Sequence, residues 1–271
     1  MNTMKFPAEI YARFRPRYPM SLFELLAERL EQVGLPRQDL DIVEVACGAA
    51  NATLALVKSG LPREVRALDP DAEMVREARA VLQGEGLLDR VNLSVASGEA
   101  TGLETKSADV VFCASAFHWM KREDAMKEFL RVLRRPGLVM LAEYTFPSSL
   151  KHQRFNDWIH AQLRGPWQNP HPRATMSFME MASVFDEEGG GSFLGLDPVP
   201  MRIEMNWAQV VGLIRSQSRY VVYRNSLGDE RARVEFDERV AREVEVLLGG
   251  ETDTYDFGLQ AATYFFGPGR T

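Results

Sequence analysis

The stretch DIVEVACGAANAT (residues 41–53) runs from apolar β-formers into a turn of small residues and then into a segment with helical spacing. That succession is the opening strand, turn and helix of a parallel α/β unit. Small residues at Ala46, Gly48, Ala49 and Ala50 let backbone and ligand approach closely, and the next helix is expected to start near Asn51. Glu44 places an acid inside an otherwise apolar strand. A carboxylate buried there needs a partner, and a ligand's cationic amino group, reached directly or through water, would satisfy it. In an open α/β sheet ligands bind outside the carboxyl ends of the strands, where the strand order reverses, so this first turn is the place to look for a site.

Outward from the turn, short β-branched runs alternate with helical periodicity up to about residue 146. The strands are read as DIVEVA (41–46), REVRALD (63–69), RVNLSVA (90–96), ADVVFCA (108–114) and GLVMLAEY (137–144). Between them NATLALVKSG (51–60), DAEMVREARAVLQ (71–83) and KREDAMKEFLRVLRR (121–135) carry apolar residues at three and four spacing. In the last, Met126, Phe129, Leu130 and Leu133 share a face, and Pro136 with Gly137 is expected to stop the helix and launch the next strand. After Pro147 the alternation gives way to helices and to loops rich in Gly and Pro, RGPWQNPHPR (164–173) and EEGGGSFLG (187–195). A charged helix, DERARVEFDERVAREVEVLL (229–248), and a β ending, TYDFGLQAATYFFG (254–267), follow. The expected organisation is an N-terminal lid segment over 1–20, an α/β core over 21–146, and over 147–271 a helical cap insertion placed before the closing strands of the core sheet.

The second strand ends in Asp69, 25 residues beyond Glu44. Dinucleotide and nucleoside folds place an acid at about this distance on ribose hydroxyls. The competing reading, that Asp69 caps the following helix, is less natural because Asp71 is available for that cap. A chain of 271 residues with formal net charge -6 has no cationic footprint for a phosphate backbone, so nucleic acid is not an expected partner. No apolar run reaches the length of a membrane span or secretory signal, and the expectation is a soluble, cytoplasmic protein without a membrane partner. Two cysteines, Cys47 and Cys113, exclude a disulfide scaffold and read as buried thiols; four scattered histidines and no CxxC or HExxH give no metal site.

With these motifs in hand, the chain resembles class I S-adenosylmethionine-dependent methyltransferases over almost the whole first half and in the correct order. EVACGAAN (44–51) resembles the family's acidic, glycine-rich first motif, ALDPDAEMVREAR (67–79) the second, SGEATGL (97–103) the third, ADVVFCASAFHWM (108–120) the fourth, and EFLRVLRRPGLVML (128–141) the helix and strand that follow. YARFRPRYP (11–19), AFHW (116–119) and, more loosely, SQSRYVVY (216–223) are similar to the trans-aconitate methyltransferase-like subgroup. The resemblance implies a Rossmann-like, doubly wound, mostly parallel seven-stranded sheet, S-adenosylmethionine as cofactor, and methyl transfer to oxygen, nitrogen or sulfur of a small-molecule acceptor. It places Glu44, Ala46, Cys47, Gly48, Asp69, Pro70, Met74, Glu99, Ala100, Ala114 and Phe117 at the cofactor, with Glu99 and the Ala100 backbone flanking adenine. The family's first and third glycines of the first motif are Ala46 and Ala50 here, and a methyl group at the latter is expected to crowd the cofactor or the helix start.

Methyl transfer from a sulfonium is an in-line displacement, so alignment suffices unless the acceptor must lose a proton. His118, following the fourth strand, is the candidate base; the alternative is a histidine that orients Trp119 or bonds a neighbouring loop. Tyr11, Arg13, Arg17, Trp119 and Tyr144 are candidate acceptor-pocket residues, and Arg13, Arg15 and Arg17 could clamp a carboxylate from the lid or simply be solvated. Two other classes stay open: a protein that keeps the cofactor fold as a ligand-binding module or rearrangement catalyst, motivated by the lost glycines, and a nicotinamide dehydrogenase, disfavoured because GxGxxG and a Tyr and Lys pair are missing. The sequence leaves the oligomeric state open.

Overall fold

β1 (Leu40–Val45) is buried along its whole length, as a strand covered on both faces must be. It lies between two parallel neighbours, β2 (Pro62–Asp69) and β4 (Ala108–Ala114), with Val45 opposite Leu68 on one side and Cys113 on the other. The computed structural model describes residues 8–167, 192–250 and 254–267. The described residues fall into two units: one takes in 17–144, 192–199 and 260–267, and the other 8–16, 145–167, 200–250 and 254–259.

The first unit is the α/β core. Outside β2 lies β3 (Val91–Val95), and outside β4 lies β5 (Leu133–Tyr144), all parallel. The strand order therefore runs 3-2-1-4-5 and reverses between β1 and β4. The C-terminal part of β8 (Thr254–Gly267) joins β5 antiparallel, Leu141 opposite Tyr264. On one face α5 (Arg122–Val132) packs Met126, Phe129 and Val132 against Val43, Val111, Val139 and Phe266. α2 (Met20–Gln32) buries Leu22, Phe23, Leu26 and Leu30, and the Phe23 ring meets Phe112 edge-on at 5.6 Å. α3 (Thr53–Lys58) and α4 (Ala72–Gly84) complete the crossovers.

The second residues of β1, β2, β4 and β5 lace the strands together at their amino ends. Asp41 pairs with Arg63 and, at 2.8 Å, with Arg134, which also reaches Asp109 at 2.9 Å. Burial pulls the Asp41 carboxyl up, but the two guanidinium groups outweigh it and hold the group below its ordinary value. Asp71 caps α4 by accepting from the Glu73 N–H at 2.9 Å, as expected, which leaves Asp69 for other work. Asp71→Ala is expected to cost about 1 kcal/mol of stability, the usual worth of such a cap, measured by urea denaturation.

The second unit is mostly helical. α1 (Ala8–Phe14) lays Phe14 against Gly212 of α7 (Trp207–Arg215), where an added Cβ would stand 2.4 Å from the ring, so only glycine admits the contact. Arg15 donates to the Ser216 carbonyl at 3.1 Å. α6 (Gln153–Arg164), α8 (Ser218–Ser226) and α9 (Glu230–Leu248) enclose an aromatic core in which Trp167 meets Trp158, Tyr220 and Phe236 edge-on. α9 buries Phe236, Val240, Val244 and Leu248 at four-residue spacing and turns its charges outward, as its sequence predicts. β6 (Ser148–Ser149) pairs with Gly258 and Phe257 at the start of β8.

Three expectations change. The described residues form eight strands rather than seven, β6 and the long β7 (Ser192–Asn206), paired with β8, being included. α5 ends at Val132, and β5 begins at Leu133, upstream of Pro136 and Gly137, because Leu133 is drawn into pairing with Ala108. α3 begins at Thr53 rather than Asn51, after a turn. Most of RGPWQNPHPR and of EEGGGSFLG, and residues 1–7 of the expected lid, lie outside the described residues. No helix of the described residues is long and apolar enough to cross a membrane.

Candidate functional site

β1 and β4 pair at Val45 and Cys113, so the loops that follow them open side by side where the strand order reverses. Three non-glycine residues in these two loops adopt left-handed backbone: Ala46 (φ 55°), Ala50 (φ 67°) and Ser115 (φ 50°), with Gly48 (φ 55°) between the first two. An L-residue there costs roughly 1–2 kcal/mol and persists only where the surroundings over-determine it, commonly at a functional site. The departure from glycine at Ala46 and Ala50 thus acts through backbone strain rather than through crowding alone. Ala46→Gly and Ala50→Gly should each hold stability level or raise it by up to about 1 kcal/mol, since relieved strain outweighs glycine's entropy in the unfolded chain. Differential scanning calorimetry checks this, and a clear loss of stability would show that the methyl groups pack productively.

Two acids converge on the first loop. Asp69, at the end of β2, is buried; its Oδ2 accepts from the Gly48 N–H and its Oδ1 from the Asp71 N–H, each at 2.9 Å. Each oxygen keeps a lone pair for a further donor. Burial raises its pKa, and these two N–H groups oppose the rise. Glu44 is 1% exposed and its Oε2 has no hydrogen-bond partner. Burial pushes its carboxyl up to about 8, with the Thr53 hydroxyl opposing and the Asp69 charge adding to the rise. Asn51 Nδ2, also buried, is likewise unpartnered. Native interiors normally meet buried polar atoms of this kind with a ligand or water.

The remaining predicted cofactor residues are dispersed around this edge. Ala46 and Gly48 are partly exposed in the turn, Met74 is buried on α4, Pro70 is exposed, and Ala114 is half-buried at the end of β4. Glu99 Oε1 accepts from the Lys121 N–H at 2.9 Å, and the Ala100 N–H goes to the Ser97 carbonyl at 3.2 Å, so adenine would have to be met by the remaining Glu99 oxygen. Cys47 and Cys113 are buried thiols, and burial above all, with nearby acids, pushes both well up, which suits neither as a nucleophile.

A second cluster stands at the ends of β4 and β5. His118 lies in a short turn, Phe117–Trp119, with Nδ1 3.1 Å from Glu143 Oε1, a contact close in distance but bent short of hydrogen-bond geometry. Its ring leans on Trp119 at 5.1 Å, while Phe117 packs against Phe129. Ser115 Oγ shares a hydrogen bond with Tyr18 Oη at 2.8 Å, and the Tyr144 ring meets Tyr18 edge-on. Glu143, Tyr18 and Ser115 were not singled out from sequence. The usable signal for Glu143 was the one that marked Glu44, an acid within a buried apolar run.

Of the predicted pocket residues, Tyr144 belongs to this cluster and Trp119, 41% exposed, lies at its edge. Arg17 does not join it: the exposed guanidinium pairs with Glu85, which Lys58 shares. Tyr11 and Arg13 belong to the helical unit, where the Tyr11 ring lies under Arg15 and Arg13 lies over Phe14.

Residues 43–141 match the model of a methyltransferase domain. An uncharacterized methyltransferase-like protein of Schizosaccharomyces pombe is 31% identical over 137 residues, covering 51% of this chain and 49% of its own. A protein of Rhodopseudomonas palustris named trans-aconitate 2-methyltransferase is 24% identical over 84% of this chain and 77% of its own. The chain spans about half the length of the first curated relatives it matches. A solved chain from Anaeromyxobacter dehalogenans, titled as a candidate Type II methyltransferase, superposes with a TM-score of 0.70 at 23% identity, over 94% of this chain and all of that one, and shares the fold.

Proposed function

We propose that residues 43–141, which match a methyltransferase domain, form a class I S-adenosylmethionine-dependent methyltransferase core and that this chain transfers a methyl group to a small-molecule acceptor. The observation that carries the reading is the pair of buried acids at one loop, Glu44 with an unpartnered oxygen and Asp69 with open lone pairs above the Gly48 N–H. An orphaned carboxylate oxygen beside a second carboxylate suits a ligand that brings both a cation and a diol, and the residues present fit S-adenosylmethionine. Glu44 would hold its amino group, Asp69 its ribose hydroxyls and Glu99 its adenine. When bound, the cofactor supplies a methyl group on a sulfonium, whose carbon–sulfur bonding pair stays with sulfur on transfer.

The chain's own part is to align the acceptor at the β1 and β4 edge and to exclude water from it. The name of the trans-aconitate relative favours a small acceptor over a macromolecule. The amino-end lacing joins β1, β2, β4 and β5, the strands whose carboxyl ends carry Glu44, Asp69 and Glu143, with His118 in the turn after β4. Calorimetric titration with S-adenosylmethionine, alongside mass spectrometry for cofactor that co-purifies, tests the proposal. Saturable binding at one site per chain is expected; no binding by folded protein would end the reading.

A further inference from the structure

We propose that Glu99 is a positioning residue with two partners, joining the nucleoside side of the site to the turn on its acceptor side, so that a bound adenine fixes that turn before an acceptor arrives. The proposal rests on the methyl-transfer reading and adds an order of binding to it.

Glu99 lies in the loop that follows β3. From Thr101 onward this loop is tied to α5: Glu128 Oε1 accepts from the Thr101 N–H at 2.9 Å, and Arg131 donates to the Leu103 carbonyl at 2.8 Å. Ahead of those ties the Glu99 carboxylate reaches elsewhere, and its Oε1 accepts from the Lys121 N–H at 2.9 Å. Lys121 is the N-cap residue of α5, and its own side chain forms no cap. An acid within the first turn of a helix ordinarily meets the N-cap N–H; here the bond comes from a separate loop. Immediately before Lys121 stand Trp119, which ends the exposed side of the turn Phe117–Trp119, and Met120. Met120 is seated on the Glu99 loop as well. A Cβ added at Gly98 would stand 2.7 Å from Met120 Sδ and 2.9 Å from Val45 Cγ1, so the absence of a side chain at Gly98 admits the thioether. One polar and one apolar contact therefore hold the Phe117–Trp119 turn to the loop that carries Glu99.

The second oxygen of Glu99 has no partner among the described residues. The amino group of adenine is a donor and can take that oxygen while Oε1 keeps Lys121, because a carboxylate accepts at both oxygens. A glutamate side chain loses rotamer freedom when it is held, and whichever donor binds first orders it for the other. The coupling is on the order of tenfold, the scale of that lost freedom. Linkage makes it reciprocal: adenine strengthens the Lys121 tie by the same factor by which the tie strengthens adenine binding. The nucleoside half of the cofactor thus sets the turn, and acceptor binding follows cofactor binding.

Lys121→Pro isolates the tie. Lys121 already has φ −72° and Met120 before it is extended, so proline fits the backbone and deletes only the N–H. Calorimetric titration with S-adenosylhomocysteine is expected to show affinity about tenfold lower in Lys121→Pro than in wild type. In a Glu99→Ala background the proline should change affinity no further, a result that a merely structural effect of proline would not give. Amide hydrogen exchange supplies the reciprocal measurement. S-adenosylhomocysteine and adenosine should each slow exchange of the wild-type Lys121 amide about tenfold, and methionine should not. Glu99→Gln has one oxygen for two donors, so ligand-free exchange at Lys121 should match wild type while the ligand no longer slows it. Wild-type affinity in Lys121→Pro, an equal loss in both backgrounds, or Lys121 exchange that is unchanged by bound ligand overturns the coupling and leaves the methyl-transfer reading in place. Failure of folded wild type to bind S-adenosylhomocysteine is the separate outcome: it ends the methyl-transfer reading and the coupling with it.

Discussion

Glu44→Gln should make the cofactor-free protein more stable at pH 8 while leaving it nearly unchanged at pH 5. The folded-state carboxyl is raised to about 8 from an ordinary 4.5, chiefly by burial. Unfolded chains ionise this group above about pH 4.5, whereas the folded chain keeps it protonated. The stability it contributes is therefore full below that pH and is lost as pH rises toward 8. Each unit of displacement is worth about 1.4 kcal/mol, so with the group raised from 4.5 to about 8 the variant is expected to gain on the order of 4 kcal/mol at pH 8. Asp41, at the other end of the same strand, works in the opposite direction: its pKa is held below the ordinary value, so its contribution is present at neutral pH and falls away only as pH drops through that depressed value. The two acids are thus separable by pH. Denaturant melts of both proteins at pH 5, 6, 7 and 8 give the result, and parallel curves over that range would mean that Glu44 is ionised in the folded protein.

The same variant carries a second reading. If the cofactor's amino group meets Glu44, binding must displace a proton below pH 8, so wild-type affinity should rise between pH 6 and 8 and that slope should vanish in Glu44→Gln.

β1 to β4 were legible because each run is short, rich in β-branched residues and bounded by turn residues; β4 and β8 begin and end where the pattern says, whereas β6 and β7 were not read as strands. α5 was not, because Leu133 sits at helical spacing from Phe129 and also at an inward strand position, and only pairing with Ala108 decides between them. Glu44 and Asp69 were legible as acids where burial makes acids costly. The strain at Ala46, Ala50 and Ser115 was not, since nothing in an alanine or serine announces a left-handed backbone. The lacing of Asp41, Arg63, Asp109 and Arg134 and the pair of His118 with Glu143 join residues from different strands, and pairing of that kind exists only once the sheet has set its order.

Asp69→Asn should weaken S-adenosylmethionine binding by tenfold or more. The wild-type carboxylate accepts from Gly48 and Asp71 N–H groups and still offers lone pairs to a ribose diol, giving charge-assisted bonds worth roughly 1.5–3 kcal/mol in all. Asparagine keeps one oxygen and turns the other into a donor, so one of those two backbone N–H groups faces an amide nitrogen instead of an acceptor. That places a cost of about 1–3 kcal/mol on the loop as well as on the ligand. The two losses can be told apart, since the first appears in titration against folded protein and the second in melts without cofactor. Asp69→Glu is the control: a carboxylate displaced by one methylene keeps the charge but loses the distance to Gly48, and it should recover less than half of the lost binding energy if geometry, rather than charge alone, sets the affinity. Calorimetric titration showing unchanged affinity in folded Asp69→Asn would remove the residue from the ribose site and leave its role as a tie between the first loop and the start of α4.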